Sequence, residues 1–148
     1  MEVLQIPNEV LLPEVVALLE EGRSVQMRVK GNSMLPFIRP DRDSVVLVKP
    51  ERYAEDDIAL ACIAPGRYVL HRIESVSDGV VTLRGTGNLT GTEKCRISAL
   101  GGIVGKIVRP GGRETDCTSP RFKGRMHRWA GRGYWTRRLF LGIYRRLL

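Results

Sequence analysis

A chain of 148 residues is long enough for one domain with a hydrophobic core, and a single domain is the expectation at this length. Its net charge of +8 is unevenly placed: residues 1–120 hold all 16 Asp/Glu against 15 Lys/Arg, whereas residues 121–148 hold nine Lys/Arg and no acid. A nearly neutral body, 1–120, therefore carries a cationic tail, 121–148, of the kind that suits acidic lipid or nucleic acid.

The N-terminus has Glu2 and Glu9 where a secretory signal has a basic region, and Pro7 and Pro13 interrupt its apolar stretch. No apolar run approaches the ~20 residues that span a bilayer. Asn8 is placed to cap a helix over about 8–21, with Val10, Leu11, Val15, Val16, Leu18 and Leu19 at three- and four-residue steps and Gly22 closing it. Pro13 fits this helix best if it begins near Leu12. Beyond Gly22 the pattern turns to strands, predicted at Val25–Val29, Ser44–Val48, Ile58–Ile63, Tyr68–Val76, Val80–Arg84 and Ile103–Val108. Turns are expected at Pro40-Asp41, Ala64-Pro65-Gly66, Ser77-Asp78-Gly79 and Gly101-Gly102. The fold class is mostly β, with barrel-like or sandwich character. Pro110-Gly111-Gly112 reads as a hinge before the tail. On a helical wheel of Arg137 to Leu148, one arc holds Leu139, Phe140, Leu141, Ile143, Tyr144, Leu147 and Leu148. Arg138, Arg145 and Arg146 take the other, with Arg137 at the border.

Cys62, Cys95 and Cys117 are too few and too scattered for a disulfide framework, and their odd number favours a reducing compartment. Two histidines argue against a zinc site, and neither metal nor cofactor is expected. The chemistry-bearing pair is Ser33 and, 38 residues on, His71 inside a predicted strand. A serine hydroxyl is a poor nucleophile until a base takes its proton, and an imidazole can do so near neutrality.

Gly31-Asn32-Ser33-Met34-Leu35-Pro36 resembles the Ser-Met-x-Pro box of type I signal peptidases. Asp43–Val48 is similar to that family's next strand, and Asp56-Asp57-Ile58-Ala59-Leu60 to its Gly-Asp-Ile-Val segment. Leu70-His71-Arg72-Ile73 resembles the His-Arg box of the endoplasmic-reticulum and archaeal branch, where histidine replaces the bacterial lysine. Arg84-Gly85-Thr86-Gly87-Asn88 resembles the Lys-Gly-Asp-x-Asn box, and Ile103–Ile107 the closing strand. The boxes run in the family's order across residues 25–108.

The resemblance implies the β domain shared by signal peptidases and LexA-type self-cleaving proteins. It implies that Ser33 attacks a peptide carbonyl, that His71 takes its proton and returns it to the leaving amine, and that the Ser33 N–H helps hold the oxyanion. Gly31 would spare bulk beside the nucleophile. Thr86 stands where the family's box usually has aspartate, and Glu93 either substitutes as the acid that orients the histidine or is a solvated loop glutamate. Asp43 and Asp57 are expected to make local backbone bonds at strand starts.

The expected activity is a Ser-His serine endopeptidase that cuts a leader or signal-type peptide from another polypeptide. The alternatives are a catalytically inactive peptide-binding or membrane-peripheral module of the same fold, and a LexA-type self-cleaving protein. The last has against it the lack of a DNA-binding domain and of an Ala-Gly or Cys-Gly site before Ser33. For the tail, with His127, Trp129, Tyr134 and Trp135 among arginines, three readings stand: an anionic membrane surface, packing on the domain or a partner, and nucleic acid, for which no recognition motif is present. The expected location is the cytoplasm, with the tail able to seat the chain on the inner face of a membrane.

Overall fold

Val25 and Met27 are buried while Gln26 and Arg28 are less so, the period-two pattern that sets a strand on a core. In the computed structural model, which describes residues 2–3 and 8–147 and side chains from residue 12 onward, this segment is β2, Val25–Arg28. Around it stand β1 (Glu2–Val3), β3 (Ser44–Val48), β4 (Ile58–Ala64), β5 (Arg67–Ser77), β6 (Val80–Arg84), β7 (Glu93–Arg96), β8 (Leu100–Val108) and β9 (Glu114–Asp116). They form one sheet in the order β1-β2-β3-β8-β4-β5-β6-β7, with β9 also on β8. Every pairing is antiparallel except β1 with β2. Among the described residues, three α-helices accompany the sheet: α1 (Asn8–Glu20), α2 (Pro120–Ala130) and α3 (Tyr134–Arg146). The mostly β class is therefore correct. No helix among the described residues is long and apolar enough to cross a membrane.

Pro13 lies inside α1, so the helix does not wait for Leu12 to begin; it continues past a ring that removes one backbone bond. Gly22, at φ +83, ends it, and the Arg23 N–H reaches back to the Leu18 carbonyl, the six-to-one bond of a glycine-terminated helix. The Asn8 cap, Val10 and Leu11 of the predicted apolar face, and Leu148 of the tail wheel fall outside the described side chains.

Gly101 and Gly102, expected as a turn, lie inside β8. The reason is helix packing: a Cβ on Gly101 would stand 2.6 Å from Val16 Cγ2, and one on Gly102 2.7 Å from Leu19 Cδ1. The glycines clear the strand's surface so that α1 can lie on it. Pro110-Gly111-Gly112 is likewise no hinge. It turns β8 into β9, with the Arg109 N–H on the Arg113 carbonyl at 2.7 Å. Ser77-Asp78-Gly79 is the turn expected, with φ of +53 and +77 at Asp78 and Gly79, the left-handed pair that suits a tight hairpin.

Two apolar clusters fill the fold. The smaller gathers Ala59, Ala61, Ile73, Val81, Leu83, Leu100 and Ile103. The larger runs from Leu12, Val15 and Leu19 through β2 and β3 to Phe122, Met126, Trp129 and Leu141. The last four belong to the cationic tail, for which packing on the domain is one of three readings. Residues 121–148 are not an appendage: two helices occupy them, and their apolar anchors complete the main core. Leu141 is buried, and Arg137, placed at the border of the apolar arc, is only 8% exposed. Its Nε–H donates to the Arg132 carbonyl at 3.1 Å.

Candidate active site

The chain leaves β2 through Lys30 and Gly31 and enters a run of turns from Asn32 to Ile38. Gly31 sits at φ +76, and a Cβ there would meet no atom within 4 Å, so its backbone conformation is what calls for glycine. Met34, Leu35, Phe37 and Ile38 are buried and anchor the turn, leaving Ser33 partly accessible above them. Arg109, from the end of β8, secures the far side: its guanidinium donates to the Phe37 carbonyl at 3.3 Å and to Asp43 at 2.9 Å.

A second loop grips the first from β6. The Gly87 N–H donates to the Ser33 carbonyl at 2.8 Å. A Cβ on Gly87 would lie 2.5 Å from the Asn32 carbonyl oxygen, and one on Gly85 2.3 Å from that of Ser33 and 3.1 Å from His71 Cδ2. Only glycine allows such close backbone approach at both positions. A methyl at Gly85 would touch both the Ser33 carbonyl and the imidazole, so this loop lies between the Ser33 turn and His71; the two residues share a cleft, and no hydrogen bond joins them among the described residues.

His71 lies on β5 opposite Ala59 of β4 and is 6% exposed. Its Nδ1 is 2.5 Å from Glu93 Oε1. Glu93 is thus a strand residue, opening β7 opposite Leu83 of β6, and its carboxylate holds the imidazole from the side away from Gly85. The sequence offered it as one of two readings, because a partner two strands away is set by sheet order and not by spacing. Thr86 does not face the histidine: it is buried, with its hydroxyl 3.8 Å from Met34 Sδ and its carbonyl taking the Trp129 indole N–H at 2.9 Å.

Ser33 and His71 line one cleft of about 160 Å³ with Leu12, Met27, Val29, Lys30, Met34, Leu60, Tyr68, Val69 and Leu70. That is below the roughly 300–1,000 Å³ usual for a small-molecule pocket and suits one or two side chains of an extended chain. Residues 67–71 of β5 pair with β4, whereas pairing with β6 begins only at Arg72. Among the described residues, no strand pairs with the other edge of that stretch. Burial pushes the Tyr68 phenol above its ordinary range, helped by the neighbouring Cys62.

Asp43 and Asp57 make the expected local bonds, accepting from the N–H groups of Arg39 and Ala54 at 2.8 Å each. Both also pair at longer range, Asp43 with Arg109 and Asp57 with Lys123 at 2.7 Å. Glu55, Asp56 and His127 converge within 4.8 Å of one another, a grouping to which nothing in the sequence pointed. The Arg72 guanidinium already sits on Asp56 at 2.7 Å and near Glu55 at 3.8 Å, so the cluster is an ion-pair knot that ties α2 to β5. Compared with models of known protein families and with curated proteins, the chain matches none.

Proposed function

We propose that this protein is a serine endopeptidase of the signal-peptidase-like class, in which Ser33 is the nucleophile, His71 the general base and Glu93 the acid that orients it. The observation that carries the reading is the placement of the imidazole: Nδ1 on Glu93 and the opposite edge toward the Ser33 turn, at the end of an apolar cleft. A base held in this way takes the serine proton as the oxygen attacks and returns it to the leaving amine. The Ser33 N–H has no hydrogen-bond partner among the described residues, which leaves it to an oxyanion. No step calls for a metal or cofactor.

The substrate is an extended segment of another polypeptide, a leader or signal-type peptide. It adds to the free edge of β5 by backbone hydrogen bonds and sets alternate side chains into the cleft. The β domain common to signal peptidases and LexA-type proteins is the fold this reading carries. The departure at Thr86 leaves the inactive module as the second reading, and Glu93 is the observation that weighs against it.

Labelling with a serine-directed fluorophosphonate, beside cleavage of a peptide library, tests the proposal. We expect labelling at Ser33, abolished in Ser33→Ala, and a loss of at least about 10²-fold in kcat/KM for His71→Ala with the fold intact. No labelling and no cleavage would leave the binding module standing. Full activity in His71→Ala would assign the base elsewhere.

A further inference from the structure

Seven of the ten exposed large apolar side chains among the described residues lie in one stretch: Tyr134, Trp135, Leu139, Phe140, Ile143, Tyr144 and Leu147. Concentration of this kind on one helix marks an interaction surface. Leu141 and Arg137 face the core, so the outward band is Trp135, Leu139, Ile143 and Leu147, with exposures from 48% to 72%. Arg138 and Arg146 flank it, and the Arg138 guanidinium lies 5.4 Å over the Trp135 ring.

Next to this band is a groove of about 230 Å³ between α2 and α3, lined by Arg125, Arg128 and Arg132 with Pro36, Phe37, Trp129 and Tyr144. Arg125 and Arg132 rest over the rings of Phe37 and Phe140, at 6.0 and 5.3 Å. None of the three forms an ion pair among the described residues, whereas Arg72, Arg84 and Arg109 of the body each have a carboxylate. The positive potential of the molecule is therefore left unneutralised along this groove, beside the apolar band.

From these observations we propose that the α2–α3 face docks on a bilayer surface containing anionic phospholipid. Headgroup phosphates occupy the Arg125–Arg128–Arg132 groove, and Trp135, Leu139, Ile143 and Leu147 sit at the acyl boundary. The pairing of chemistries selects the occupant. A nucleic acid would use the arginines and leave Leu139, Ile143 and Leu147 in water, while a bilayer takes both. Pro36 and Phe37, which wall the groove, belong to the turn that carries Ser33, so docking sets the cleft beside the membrane. The charge and exposure that support docking are independent of the peptidase reading.

Flotation of the full chain with phosphatidylcholine vesicles, with and without added phosphatidylglycerol, provides the test. Binding is expected only with the anionic lipid, together with a blue shift of tryptophan emission that Trp135→Phe removes. The triple variant Arg125→Gln, Arg128→Gln, Arg132→Gln should lower partitioning about a hundredfold. Leu139→Ser with Ile143→Ser should lower it about tenfold at any salt. Thermal melts control for folding, and Arg138→Gln with Arg146→Gln, on the outward face, is the variant to use if the triple does not fold. Equal partitioning onto neutral vesicles, or no change in the arginine variants, would overturn the proposal. So would tighter binding of an oligonucleotide that is indifferent to Leu139→Ser and Ile143→Ser.

Discussion

An imidazole that takes a proton from a hydroxyl needs its other nitrogen held in the right tautomer; the Glu93 carboxylate lies on His71 Nδ1, and in the proposed mechanism this contact does the holding. Glu93→Gln keeps the size of the side chain and loses the charge. It should lower kcat between about a hundredfold and ten-thousandfold while KM changes little. Glu93→Asp should recover part of the loss, and steady-state kinetics on a cleaved peptide would show whether the effect falls on kcat. A KM effect of the same size with kcat untouched would make Glu93 a substrate contact. On the other side of the ring, Gly85→Ala places a methyl against the Ser33 carbonyl, and a backbone oxygen cannot swing away. A loss of about 1–3 kcal/mol in urea unfolding is expected, and, on the peptidase reading, activity should fall further than stability because the Ser33 turn shifts.

At the level of elements, the strands with clean alternation or unbroken apolar runs were legible in the sequence: Ser44–Val48 and Val80–Arg84 match β3 and β6 end to end. The short strands were not. Glu93–Arg96 and Glu114–Asp116 are polar and half exposed, and only their neighbours in the sheet make them strands. That is also why the role of Glu93 stayed open, whereas Ser33 and His71 could be named from their own boxes. Cys117, just past β9, shows what packing adds to a residue that composition treats as incidental. Burial raises its thiol from 9.0 to about 12, with Asp116 adding to the rise. A raised folded-state value means the protonated thiol is the form that the fold accommodates. Its contribution to stability is complete below about pH 9 and is lost as the pH rises toward 12. Unfolding free energies from urea titrations across that window should fall by up to about 1.4 kcal/mol per pH unit from this group, and less steeply in Cys117→Ala.

For the molecule as a whole, the tail is where packing adds most: of its three readings, packing on the domain is the one that its buried anchors support. Its charge is readable by counting, but a wheel that starts at residue 137 misses the anchors. Phe122, Met126 and Trp129 lie earlier, spaced on one face of α2. Charged neighbours hid an apolar stripe that only a second helix could use. Removal of residues 120–148 should therefore unfold or aggregate the body and not leave an active core. Trp129→Ala, which also strands the Thr86 carbonyl, should alone lose about 3–5 kcal/mol. Circular dichroism melts of the two variants would check both. A truncated chain that melts like the full one would return the tail to the status of an appendage.

β8 supplies Val104 and Ile107 to the larger apolar cluster and Leu100 and Ile103 to the smaller. It also joins β3 on one edge to β4 on the other. Ser33 enters before β3 and His71 on β5, so the two residues lie on opposite sides of a seam that β8 closes within the sheet and that the Gly85–Gly87 loop closes above it. Pairings across such sequence distances are reached slowly, in milliseconds to seconds and not in microseconds. The consequence is for folding: the local hairpins β4–β5 and β5–β6 close short loops, whereas bringing the serine and histidine into one cleft waits on the long-range pairing of β8 and the docking of the Gly85–Gly87 loop.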